Sequence, residues 1–114
     1  MYFTSQLHEE RFKEAVQTYE YQMGIDAKAL VYLATSDILR EAKLVKVERG
    51  SINASTVDAS KLSSSQRRLA ELALNLYNSA NECETSIATI IDCLDSDNRK
   101  LLIQALIIRA NISA

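Results

Sequence analysis

Proline is absent from the 114 residues, and glycine occurs only at Gly24 and Gly50. Residues that break helices are therefore almost missing, and the wealth of Ala, Leu, Ile, Glu and Arg predicts an all-α fold. Two isolated glycines also exclude a glycine-rich phosphate loop. There is one histidine, His8, and there are two cysteines, Cys83 and Cys93. These make neither a zinc tetrad nor a His-x-x-x-His pair, so no metal and no other cofactor is expected. A histidine relay would have to use His8, and local spacing sets no nucleophile beside it; a surface or capping role is predicted. On one continuous helix Cys83 and Cys93 would lie about 15 Å apart along the axis, too far for a bond, so reduced thiols are expected.

Charge of one sign is also missing. The net charge is −2, divided evenly between the two halves of the chain, and gives no global attraction to nucleic acid or anionic lipid. The first residues, Met1 to Glu10, lack the basic start and apolar run of a signal peptide, and the apolar run at the end falls short of the roughly 20 residues that cross a bilayer. A cytoplasmic protein without membrane contact is the expectation, and the glycosylation patterns at Asn53 and Asn111 are then chance matches.

What the chain has is apolar periodicity: 47% of its residues are hydrophobic, enough for one domain spanning 1–114 to bury a core. Thr4 or Ser5 can cap a first helix in which Phe12, Ala15, Val16, Tyr19 and Met23 share a face, with Gly24 as its end. Asp26 can cap a second, short and largely buried helix from Ala27 to about Thr35. Ser36 or Asp37 opens a predicted third helix through Ile38, Leu39, Ala42 and Val45 that Gly50 closes. Ser51 to Ser64 reads as the longest loop, with Ile52, Val57 and Leu62 as its anchors. A fourth helix is expected from about Ser65 to Ala80 and a fifth through Ile87, Ile90, Ile91 and Leu94. Asp95-Ser-Asp-Asn98 reads as a turn and cap before the last helix. The sum is a compact single-domain bundle of five to six helices.

The last helix carries the sequence's strongest demand. At about 100° per residue, Leu101, Ala105, Ile108 and Ile112 form one apolar arc, while Leu102, Ile103, Leu106, Ile107 and Ala110 form a second. A helix apolar on two sides must be covered on two sides, which points to self-association through Leu102, Ile103, Leu106 and Ile107. Arg109 falls between the arcs and calls for a carboxylate, Asp92 or Asp95.

Other candidate chemistry is thinner. Arg40, Lys43, Lys46 and Arg49 recur every third residue and would form a drifting basic stripe on the predicted third helix, suited to an acidic partner or phosphates. Asp37, Glu41 and Glu48 are interleaved with it and favour a solvated face with local pairs, Asp37 with Arg40 among them. Five acids, Glu82, Glu84, Asp92, Asp95 and Asp97, lie where no base intervenes between Arg68 and Arg99. Acid–base catalysis would require a cleft that shifts their pKa values, and solvated acids are the expectation.

Phe3-Thr-Ser with His8 and Phe12, Ala29-Leu-Val-Tyr-Leu-Ala34, and Arg68-Leu-Ala-Glu-Leu-Ala-Leu-Asn-Leu-Tyr-Asn78 together resemble a small uncharacterised family of helical proteins from Firmicutes bacteria and their phages. The resemblance implies an all-helical protein, cytoplasmic or phage-encoded, and brings no catalytic residue with it. The resulting expectation is a non-enzymatic interaction or regulatory protein, pairing as a homodimer or with another protein. The alternative is a nucleic-acid-binding regulator using Arg40, Lys43, Lys46 and Arg49.

Overall fold

The computed structural model describes residues 1–19, 23–48, 51–54, 59–78 and 85–112. Its organising element is a helix enclosed over more than a full turn. From Ala29 to Leu33 five consecutive residues are at most 2% exposed, so no face of this stretch meets water, while Ile25 at the start of the helix is 39% exposed. A helix clothed all round must be a core helix, and this one, α2 (Ile25–Ala34), receives the others: α5 (Ser96–Ala110) and α3 (Ser64–Tyr77) pack most extensively on it, and α1 (Gln6–Tyr19) also packs on it. The short α4 (Ile87–Cys93) packs on α3. The fold is an all-α single domain of five helices among the described residues, with a radius of gyration of 13.0 Å.

Local chemistry sets the helix starts. Ser5 Oγ accepts from the His8 amide at 3.1 Å and caps α1. Ser63 Oγ accepts from the Gln66 amide while Gln66 Oε1 accepts from the Ser63 amide, a reciprocal capping box that begins α3. Asp95 caps α5 by accepting from the Asn98 amide at 2.9 Å. At the other end of α5, Asn111 takes the left-handed conformation with φ 56°, and the Ile112 amide reaches back to the Ile107 carbonyl. Gly24, expected to end α1, stands instead at the N-cap of α2; Asp26 lies in that helix's first turn.

The predicted third helix does not form. Arg40–Ala42 makes one 3-10 turn, Lys43 is left-handed with φ 52°, and the chain continues as β1 (Val45–Glu48), antiparallel to β2 (Ser51–Ala54). The register pairs Val45 with Ala54 and Glu48 with Ser51, so the connection is two residues long. Val-Lys-Val-Glu alternates apolar and polar residues, a period of two that β-branched valines favour. Lys and Glu spaced as a helix would like them concealed that alternation. Tertiary packing also decides against the helix: Leu39 and Leu44 are both fully buried, and the left-handed residue between them lets both enter one core. The stretch expected as loop accordingly contributes β2, a 3-10 turn at Ala59–Lys61, and Leu62 packed against the core. Val57, its third expected anchor, lies outside the described residues.

Candidate functional site

The leading segment and α1 place His8 at the centre of an aromatic cluster. His8 is fully buried, which corrects the surface role read from its position. Its ring lies 5.1 Å from Phe3 and 4.9 Å from Tyr32, centroid to centroid, and Phe12 closes the cluster against Phe3 and Tyr32. Nε2 is 2.8 Å from the Tyr32 carbonyl, and Nδ1 is 3.2 Å from the Thr4 amide nitrogen. A carbonyl can only accept and an amide can only donate, so Nε2 carries the proton and Nδ1 accepts. The ring is neutral. Burial is the main cause holding its pKa below the ordinary histidine value, opposed by the Tyr32 carbonyl and by Asp37.

Ser36 N–H turns to the Leu33 carbonyl, so at the end of α2 the Tyr32 carbonyl is met by His8 and by the Thr35 hydroxyl. The imidazole thereby serves a helix-terminal acceptor from a neighbouring element. Outside the cluster, Asp37 accepts from Ser5 Oγ at 3.0 Å, Thr4 Oγ1 at 3.2 Å and Arg11 Nη2 at 2.8 Å. Partial burial works against its carboxylate, but the Ser5 and Thr4 hydrogen bonds and the Arg11 charge, joined by His8 once acid has protonated it, outweigh it and hold the pKa below the ordinary value. Asp37 therefore pairs with Arg11, while Arg40, its expected partner, pairs with Glu41.

These shifts fix the sign of an acid dependence. The unfolded chain takes up a proton at His8 near pH 6.5, whereas the folded chain resists it, so folding stability falls as pH drops below about 6.5 and levels off once the folded ring is also protonated. A second loss follows below about pH 4, where Asp37 is protonated in the unfolded chain first. Urea midpoints at pH 7.5, 5.5 and 3.5 should decrease in that order.

Beside this cluster an open groove of about 390 Å³ runs between α1 and the end of α2, lined among others by Arg11, Glu14, Thr18, Tyr19, Thr35 and Arg40. Its polar groups are largely spent within the protein. Thr18 donates to the Glu14 carbonyl, Thr35 to the Val31 and Tyr32 carbonyls, and Arg11 Nε to the Leu7 carbonyl. Arg11 Nη1 is buried without a hydrogen-bond partner among the described residues. Both ring nitrogens of His8 are committed, so the groove has no histidine to act as a base. Among the described residues no group of three His, Cys, Asp or Glu side chains is placed to hold a metal.

A third region is α5. Leu101, Ala105 and Ile108 of the first arc are buried as expected, but Ile112 is 62% exposed. The second arc is divided: Leu102 is fully buried, which removes it from any intermolecular contact, and Leu106 packs partly against the core. Ile103 is 54% exposed, and Ile107 is half-buried one turn away. The chain itself therefore hides most of the first arc and only part of the second. Arg109 Nε donates to the Leu76 carbonyl at 2.8 Å, where a salt bridge with Asp92 or Asp95 was expected.

A model of DUF6075, a family of unknown function, matches residues 1–113. The chain belongs to this family. No curated protein and no solved structure matches it. The match supports the expectation of an uncharacterised family over the whole chain, and within this DUF6075 fold the predicted basic stripe is dispersed. Arg40 lies on the 3-10 turn, Lys43 at the left-handed position and Lys46 on β1, so their three-residue spacing has no helical meaning. Arg49 lies outside the described residues, as do Glu82, Cys83 and Glu84. Cys93 is a half-buried free thiol toward which Arg68 Nη1 donates. The His8 cluster is the feature that sequence reasoning missed; the signal was present in aromatic residues at 3, 12 and 32 around the one histidine.

Proposed function

We propose that this protein is a non-enzymatic helical interaction protein that self-associates through the outer face of α5. The observation that carries the reading is Ile103, a large aliphatic side chain 54% exposed in the middle of a helix, with half-buried Ile107 beside it and exposed Ala110 one turn further. Exposed aliphatic surface on a rigid helix is suited to a two-fold, self-complementary contact. The ridge is short compared with the roughly 1,000 Å² that a stable interface buries, so the expected dimer is reversible and of micromolar strength or weaker. The commitment of both His8 nitrogens supports a binding role over a catalytic one. A cytoplasmic setting in a Firmicutes host or phage, as the sequence resemblance implies, belongs to the same reading. No helix among the described residues is long and apolar enough to cross a membrane.

Sedimentation velocity between 1 and 500 µM, a range of roughly two decades or more around micromolar affinity, tests this. The weight-average mass should rise with concentration, and Ile103→Asp should hold the protein monomeric with an unchanged helical circular dichroism spectrum. A wild-type protein that stays monomeric across the range removes the proposal. Nothing in the placement of Arg40, Lys43 and Lys46 favours the nucleic-acid alternative.

A further inference from the structure

Residues 1–5 lie as a strap across α2 and α5, and its attachments are few and specific. The Tyr2 amide donates to Gln104 Oε1 at 3.1 Å, the Tyr32 hydroxyl donates to the Tyr2 carbonyl, and the Thr4 amide donates to His8 Nδ1 at 3.2 Å. Phe3 contributes the apolar part by packing on His8, Phe12 and Tyr32. The Thr4 and Ser5 hydroxyls add the contacts to Asp37.

The two sides of the His8 ring respond differently to a proton. Nε2 already donates to α2 and continues to do so when the ring is charged. Nδ1 would change from acceptor to donor, directly opposite an amide N–H. The Thr4 hydroxyl, 3.3 Å from Nδ1, can rotate to accept the new proton. The Thr4 amide has no such freedom, because a backbone N–H can only donate. Beside the apolar Phe3, the polar and titratable groups facing the ring are Thr4 from the strap, Arg11 from α1, Tyr32 from α2 and Asp37 from the turn after α2; Tyr2 acts on Tyr32. Asp37 favours the charged ring and Arg11 opposes it, so the two facing charges work against each other.

We propose that His8 is a proton-operated latch on the strap: protonation at Nδ1 expels the Thr4 amide and frees residues 1–4, while Ser5 stays as the cap of α1, and α1 and α2 remain packed. Release withdraws Phe3 and Tyr2 and bares the aromatic surface of Phe12 and Tyr32. The latch does not rest on association through α5 and would operate in a monomer.

Amide hydrogen exchange followed by NMR tests it, with the Leu30 amide as the internal reference for global opening. The protection factor of the Thr4 amide should stay below that of Leu30 at every pH, as local release requires, and should fall by an amount approaching tenfold per pH unit from about pH 6.5 down to the lower pH at which the buried His8 ring itself titrates. In His8→Asn, whose side-chain oxygen can accept from Thr4 and does not titrate, Thr4 protection should be flat over the same range. Thr4 protection that is flat between pH 7.5 and 5.0, that equals that of Leu30 and so reports only global unfolding, or that falls equally in His8→Asn overturns the latch. If His8→Asn does not fold, the wild type still decides: Thr4 protection equal to that of Leu30, or unchanged from pH 7.5 down to the pH at which the His8 ring titrates, is sufficient to reject it.

Discussion

Leu30→Ala is expected to destabilise the fold by about 3 kcal/mol, among the largest effects of any single truncation in this chain. Leu30 is fully buried on α2, the helix on which α1, α3 and α5 all pack, so no one neighbour can move in to fill the space without leaving another. Deleting the branched end of the side chain loses its transfer free energy and leaves a cavity whose walls are held from several directions. Urea denaturation should show a lower midpoint with an unchanged slope. Ile103→Ala, made on the exposed side of α5, should shift stability by no more than about 0.5 kcal/mol. Equal costs for the two would mean that α2 is not the enclosed element.

His8→Leu comes second, at about 2 kcal/mol. Leucine approximates the ring's bulk and suits the apolar surroundings, so the loss is not one of volume. It comes from removing one partner only: the Thr4 amide is left without its acceptor, and the Tyr32 carbonyl keeps only the Thr35 hydroxyl. A donor stranded in this way forfeits its solvation with nothing in return. The same variant should lose the stability change between pH 7.5 and 5.5, while the Asp37-dependent loss at lower pH persists. A variant as stable as the wild type, or one that keeps the upper part of the pH dependence, would show that the imidazole is not the proton-sensitive link.

Most of the helices were legible because they are local. Leu69, Leu72, Ala73 and Leu76 repeat at three and four along α3 and are all buried, and Asp95 and Ser5 cap the helices they precede. The segment from Ser36 to Ala54 was misread because its charges fit a helix and its valines fit a strand, and propensity alone could not rank them. Burial of Leu39 and Leu44 ranked them. The candidate site was less legible. His8 meets Tyr32 across 24 residues, and Tyr2 meets Gln104 across 102, contacts that no local spacing announces.

The sequence alone determined the helical class, through its lack of proline, its scarce glycine and the periodicity of its apolar residues, all of which act within a few turns of backbone. It also determined that α5 would need cover over most of its circumference. Only the tertiary structure decided how far the chain itself supplies that cover: the core built around α2 encloses Leu101, Leu102, Ala105 and Ile108 and leaves Ile103 outside. The same packing converted a histidine in a first helical turn into a buried, neutral link. Burial and hydrogen-bond partners depend on what lies across space, and spacing along a single helix carries no record of it.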